Sequence, residues 1–236
     1  MASKEIGGKE VSYPGKGGTL RAYVCEPATG SAPHPVVIVV QEWWGLDDHI
    51  RDLARRFAGE GYFAVAPDLY SRQGNKVAKD PNTAATLMEG LKQTDGIDDL
   101  LSTINWIKTQ SNAKATRIGV IGFCMGGSYA TLLPCVTRDI KAAAPFYGEI
   151  PADDRLMNLG CPMFYAYGEN DGWIQRADVD RLAATLRKFN KPGEVKVYGG
   201  CSHGFFNDTR PDVYSAKDAK DAWERSLKLF DQNLKI

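Results

Sequence analysis

Neither sign of charge is in excess in this sequence: 29 basic residues balance 29 acidic ones over 236 positions, and the two are interspersed. The chain therefore lacks the electrostatic footprint of a nucleic-acid or anionic-membrane binder. Long hydrophobic runs are missing as well, and the apolar stretches present are far too short to cross a bilayer. Histidine is scarce, with only His34, His49 and His203, and the five cysteines, Cys25, Cys124, Cys135, Cys161 and Cys201, include no C-x-x-C pair. No His or Cys cluster has zinc-ligand spacing, so no metal is expected. Scattered thiols argue against a disulfide framework and suit a reducing compartment. The N-terminal stretch MASKEIGGKEVSYPGKGG is charged and glycine-rich without an apolar core, so a secretory signal is not expected and the expected location is cytoplasmic.

What is present is a regular alternation of strands and helices. Residues 10–26 contain two short alternating segments around Pro14-Gly-Lys-Gly-Gly18, the pattern of an N-terminal β-hairpin. Continuous apolar runs at Val36–Val40, Tyr62–Pro67, Arg117–Phe123, Ile140–Tyr147 and Met163–Tyr167 read as buried strands, with a further strand at Glu194–Tyr198. Helical periodicity falls between them. Asp47 and Asp48 can cap a helix in which Ile50, Leu53, Ala54 and Phe57 share one face; His49 reads as surface on that helix. Further helices are expected near Asn82–Lys92, Ile97–Thr109, after Cys124 with a break or kink at Pro134, Arg176–Asn190 and Ala216–Leu234. This order predicts a mostly parallel central sheet with helices on both faces, an α/β fold, and with no linker or repeat a single domain over 1–236.

Chemistry concentrates in RIGVIGFCMGGSYATLL, Arg117 to Leu133, where a strand meets a helix at Gly122-Phe-Cys124-Met-Gly126. The pattern is Gly-x-Ser-x-Gly, the nucleophile elbow of α/β-hydrolases, with sulfur replacing the hydroxyl. Glycines two positions either side let the backbone turn tightly. A helix N-terminus favours negative charge and hence thiolate. The N–H of Met125 becomes one oxyanion donor and that of Trp43, in the loop after Val36–Val40, the second. In parallel sheets functional groups gather at the carboxyl ends of strands. The order nucleophile, acid, base leaves His203 as the one histidine after Cys124, and Asp171 in Gly-Glu-Asn-Asp-Gly as the acid, with Glu169 and Asn170 as competitors. His34, ahead of its strand, and Asp68, ahead of the nucleophile, read as structural. Trp44, Tyr147 and Trp173 fall at strand exits, and Phe205 follows the histidine; together they give an aromatic pocket for a small organic substrate.

Gln41-Glu42-x-x-Gly45, Ala66-Pro-Asp68-Leu-Tyr70, Gly122-Phe-Cys124-Met-Gly-Gly127, Phe146-Tyr-Gly148, Gly168-x-x-Asp171 and Ser202-His203-Gly-Phe205 together resemble the dienelactone hydrolase (carboxymethylenebutenolidase) family, in the family's order and from about Glu10 to Phe230. The resemblance implies a single α/β-hydrolase domain, a monomer or weak homodimer, with a Cys124-His203-Asp171 triad, no metal or organic cofactor, and a small ester or lactone as substrate. It also gives Glu42 a part in activating the thiol. The departures concern substrate: dienelactone-cleaving members hold the substrate carboxylate with arginines, whereas here Asn82–Lys92 contains none and Asn207 stands near the second expected position. Arg72, Lys76 or Arg210 would have to substitute. Two rival readings are weighed. A cysteine amidase or glutaminase would show His-x-Glu, and the chain has His203-Gly-Phe205. A thiol redox sensor or ligand-binding module would use the cysteine without turnover.

Overall fold

The computed structural model describes residues 6–236; residues 1–5, where the charged N-terminal stretch begins, lie outside the described residues. Eight strands form one sheet in the order β1-β2-β4-β3-β5-β6-β7-β8, and the chain divides within β5 into two contact units, one up to Ile118 and one from Gly119 to Ile236.

In the first unit, β1 (Gly8–Gly15) and β2 (Gly18–Cys25) make an antiparallel hairpin in register from Gly8↔Cys25 to Gly15↔Gly18. β2 pairs antiparallel with β4 (Phe63–Pro67), which runs parallel to β3 (His34–Val40). Val36 to Val40 are fully buried, which is why this strand carries no polar alternation. Between β3 and β4, α1 (Asp48–Gly59) is capped by Asp47, whose carboxylate accepts the Ile50 N–H at 3.0 Å. Its inner face is Ile50, Leu53, Ala54 and Phe57, as the periodicity predicts, but His49 lies on that face too. It is 3% exposed rather than on the surface: position 49 precedes Ile50, and the apolar stripe is wide enough to include it.

The stretch after β4 lacks periodicity but is firmly held. A 3-10 turn at Ser71–Gln73 precedes α2 (Pro81–Glu89), which Asp80 caps through the N–H groups of Asn82 and Thr83, and then comes α3 (Gln93–Ile107). The Arg72 guanidinium forks onto the Asp99 carboxylate of α3, Nη2 at 2.6 Å and Nε at 3.0 Å. On the next turn the Thr103 hydroxyl bonds Tyr13 of β1 at 2.8 Å, and Tyr13 stacks on Trp106 at 5.0 Å between ring centroids. Arg72 is therefore committed to a buried carboxylate and is not a free cation for a substrate.

The second unit continues β5 (Ala113–Phe123) into α4 (Met125–Val136), then β6 (Ile140–Phe146), α5 (Asp153–Leu156), β7 (Met163–Asn170), α6 (Arg176–Lys188), β8 (Gly193–Ser202) and α7 (Ala216–Leu234). β6, β7 and β8 run parallel. Pro134 does not stop α4, which ends two residues later at Val136; so near the C-terminal end the missing N–H costs only one bond of the last turn. β7 and β8 each run past their apolar cores, to Asn170 and Ser202. The extension is zipped by side chains: Glu169 accepts the Gly200 N–H at 3.1 Å and Asn170 donates to the Gly200 carbonyl at 3.3 Å. α7 buries Ala219, Ala222, Ser226 and Phe230, with Trp223 over Phe206 at 6.4 Å. Among the described residues no helix is long and apolar enough to cross a membrane.

Breaking a buried pair by removing one partner strands the other charge. Because the Arg72 side chain is 24% exposed and Asp99 only 2%, Arg72→Ala is expected to lower unfolding free energy by roughly 2–4 kcal/mol, measured by urea denaturation.

Candidate active site

Cys124 sits at the sharp exit of β5 with φ 55° and ψ −120°, a left-handed conformation for a residue with a Cβ. Such strain costs about 1–3 kcal/mol and persists only when the surroundings over-determine it. They do so here. Any side chain at Gly122 would run into the Gly126 carbonyl, and one at Gly127 into the Phe146 carbonyl. The Cys124 N–H donates to the Phe146 carbonyl at 3.1 Å, while the Cys124 carbonyl receives the N–H groups of Gly127 at 2.9 Å and Ser128 at 3.2 Å, starting α4. The thiol thus stands at a helix N-terminus with Met125, buried, as the first helical residue.

Asp171 and His203 meet at 2.8 Å, Oδ2 to Nδ1, with the carboxylate side chain wholly buried and the imidazole 23% exposed. Asp171 does two things at once. Its Oδ1 accepts the N–H groups of Trp173 at 2.8 Å and Ile174 at 2.9 Å, fixing its own turn, and Oδ2 is left for the imidazole. The competitors Glu169 and Asn170 are spent on the Gly200 zip. The His203 ring makes T-shaped contacts with two aromatic rings, Tyr147 at 4.9 Å and Trp173 at 5.3 Å between centroids.

Below the histidine the loop is closed on itself. The Ser215 N–H donates to the Phe205 carbonyl at 3.0 Å, and Asp218 collects the Ser215 hydroxyl at 2.6 Å and the Cys201 thiol at 3.2 Å. Phe205 has no exposed surface; it packs on Tyr198 at 4.9 Å and Tyr147 at 5.7 Å. Tyr147 is fully buried too. Both were expected to line a pocket, but neither has surface to offer a substrate: both belong to the core, Tyr147 in ring contact with His203 and Phe205 packed on Tyr147. Trp173 stays half-buried. Phe206, which sequence reasoning passed over, stacks on Phe123 at 5.1 Å and ties the histidine loop to the strand before Cys124; the run Phe205-Phe206 was its only signal. Asn207 is buried and caps the Thr209 turn through Oδ1, and Arg210 pairs with Asp212 at 3.1 Å.

In the first unit, Glu42 follows β3 and is buried at 4% exposure. Trp43 and Trp44 meet edge to face at 5.0 Å, and their carbonyls are held by the Tyr70 hydroxyl at 2.9 Å and the Ala78 N–H at 2.8 Å. Gly45, at φ 101°, approaches the Lys76 carbonyl too closely for a side chain. Asp68 is a structural residue: it accepts the Tyr70 N–H and pairs with Arg21 at 2.8 Å. His34 is a β3 residue whose N–H bonds the Asn112 carbonyl. Among the described residues no group of three or more His, Cys, Asp or Glu is placed to hold a metal ion.

A strained elbow between strand and helix, with an Asp-His pair on the later strand exits of a mixed eight-stranded sheet, defines an α/β-hydrolase-fold enzyme. The family model of the Dienelactone hydrolase family matches residues 20–234, and the chain belongs to that family. A protein of Escherichia coli (strain K12) named "Putative carboxymethylenebutenolidase" is 35% identical over 233 residues, covering 94% of this chain and 85% of its own. The crystal structure "Putative Dienelactone Hydrolase" from Klebsiella pneumoniae subsp. pneumoniae MGH 78578 superposes with a TM-score of 0.89 at 34% identity, covering 97% of this chain and 100% of its own. A metagenomic dienelactone hydrolase-like promiscuous phosphotriesterase shares the fold at 20% identity, TM-score 0.89, over 98% of this chain and 99% of its own. The chain is accordingly a carboxymethylenebutenolidase-like hydrolase acting on a small molecule.

Burial pushes the Cys25 and Cys135 thiols up to about 11 and Cys161 up to about 12; burial and the Asp218 carboxylate do the same for Cys201, to about 11. These four stay protonated at neutral pH. Brief iodoacetamide treatment at pH 7.5 should therefore label Cys124 alone, which peptide mass mapping would read directly; label on any other cysteine at a comparable rate contradicts this assignment.

Proposed function

We propose that the enzyme hydrolyses small carboxylic esters or lactones through an acyl-thioester on Cys124. The Cys124 thiolate attacks the carbonyl carbon; the C=O π pair moves onto oxygen, where the N–H groups of Met125 and Trp43 hold the charge. The tetrahedral intermediate collapses by breaking the C–O bond of the alcohol, which takes its proton from His203. His203 then removes a proton from water, hydroxide adds to the thioester, and the acid leaves as the thiolate re-forms. A lactone opens to a hydroxy acid that stays attached until that second step. Asp171 holds one tautomer of the imidazole and stabilises its cation. The observation that carries this reading is the 2.8 Å Asp171–His203 contact, made by a carboxylate oxygen that the local turn leaves free.

Glu42 takes its role from the family resemblance, and Trp43 takes its role from its place in the loop after β3. A carboxylate beside a thiolate repels it, so withdrawal of Glu42 when substrate enters would switch the nucleophile on. Trp44 and Trp173 supply aromatic surface for the acyl or alcohol part. With Arg72 on Asp99 and Arg210 on Asp212, the reading favours uncharged esters over carboxylate-bearing lactones. The family match spans both contact units, which supports one hydrolase domain; free thiols at all five cysteines suit a cytoplasmic setting, with the chain a monomer or weak homodimer and no nucleic-acid partner.

The test is kcat/KM on p-nitrophenyl acetate and on dienelactone. Cys124→Ala should abolish turnover of both, and Asp171→Asn should lower kcat on the order of 10²–10⁴-fold by allowing the wrong tautomer. Full activity in Cys124→Ala overturns the proposed nucleophile. Peroxide-dependent modification of Cys124 with no ester turnover in the unmodified chain would favour a thiol sensor.

A further inference from the structure

Tyr147 is a second residue in this unit whose backbone is left-handed against its chemistry. Its φ is 40°, a genuine outlier for a bulky side chain, and the ring has no exposed surface. The conformation is not an accident of a loose loop. The Tyr147 N–H still donates to the Ala166 carbonyl of β7 at 2.8 Å, so the residue is tied to the neighbouring strand one position past the end of β6. The next residue, Gly148, lies against the Gly127–Ser128 backbone so closely that any Cβ there would collide with it. The Glu149 N–H donates to the Ser128 hydroxyl at 2.8 Å, and the Tyr165 hydroxyl donates to the Gly148 carbonyl.

The three residues Phe146-Tyr147-Gly148 therefore touch both halves of the candidate chemistry. Phe146 receives the Cys124 N–H through its carbonyl, and Gly148 seats the first turn of α4. Between them, the Tyr147 ring meets the imidazole of His203 in a T-shaped contact, 4.9 Å between centroids and inclined at 62°, shorter than the 5.3 Å contact from Trp173. Asp171 fixes one nitrogen of that ring by a hydrogen bond but leaves rotation about the line of the bond open; a T-shaped aromatic neighbour restricts the ring plane. A normal, right-handed φ at position 147 would carry the phenol ring away from this contact.

We propose that Tyr147 is a positioning residue, whose strained backbone aims its ring at His203 and thereby fixes the imidazole plane relative to the Cys124 elbow. This rests on the thiol-imidazole reading above. Glycine is at home at this φ, so Tyr147→Gly removes the ring while relieving the backbone, and Tyr147→Phe keeps the ring. Two readouts are taken on the full chain: steady-state kinetics with p-nitrophenyl acetate, and the pH dependence of the rate at which iodoacetamide alkylates Cys124.

Tyr147→Gly should lower kcat by about tenfold or more with KM changed by no more than about twofold, and Tyr147→Phe should stay within about threefold of the parent. The midpoint of the alkylation profile should move in Tyr147→Gly toward that of His203→Ala, and stay in place in Tyr147→Phe. A midpoint moved by His203→Ala but unmoved by Tyr147→Gly overturns the role of Tyr147 alone. Loss in Tyr147→Phe as deep as in Tyr147→Gly does so too. A His203→Ala profile identical to the parent's overturns the thiol-imidazole reading, and the Tyr147 assignment falls with it.

Discussion

The hydrogen bond between Asp171 and His203 is the constraint around which the second unit is arranged. A carboxylate with no exposed side-chain surface has to be satisfied on both oxygens, since an unpaired charge away from water is costly. One oxygen closes a turn on Trp173 and Ile174; the other has a single outlet, the imidazole. The extension of β7 and β8 beyond their apolar cores serves this meeting. The bonds from Glu169 and Asn170 to Gly200 add to the backbone pairing that continues to Asn170 and Ser202, and together they keep the exits carrying Asp171 and His203 side by side.

Strain and close packing concentrate at the same end of the strands. Cys124 and Tyr147 both hold positive φ angles, and both are locked by glycines whose missing side chains let backbone touch backbone. The fold can tolerate this because the strands behind are apolar and saturated: Phe123, Phe146, Phe164 and Phe205 are buried beneath the site. A rigid floor of rings converts backbone strain into side-chain direction instead of letting it relax.

Much of this was legible in the sequence, for identifiable reasons. Val36–Val40 and Arg117–Phe123 announce buried strands by composition, and Cys124 between paired glycines announces a turn that few other chemistries need. His203 could be singled out because it is the one histidine after Cys124, and Asp171 because it stands at a strand exit between the two, with Glu169 and Asn170 beside it as competitors. What escaped was set by tertiary packing. His49 and the depth of Tyr147 and Phe205 depend on which neighbours close over them, and a one-dimensional pattern does not record that. Arg72 reads in sequence as a candidate cation for a substrate carboxylate, and only the fold brings Asp99, 27 residues on, to occupy it. The Gly199-Gly200 pair read as a loop because strand signals are side-chain signals, whereas this stretch of β8 is held by its backbone.

The closure of the histidine loop between Phe205 and Ser215 separates geometry from reach. The bond between these two residues, with Asp218 gathering Ser215 and Cys201 behind it, sutures the base of an eyelet whose rim is residues 206–214. Closing a longer eyelet costs little extra, since loop entropy grows only with the logarithm of length. Insertions or deletions along the outer rim, Asp208 to Tyr214, can therefore accumulate without displacing the imidazole at its foot. Within one lineage such a rim can be re-cut while the Asp171–His203 pair at its foot is inherited unchanged.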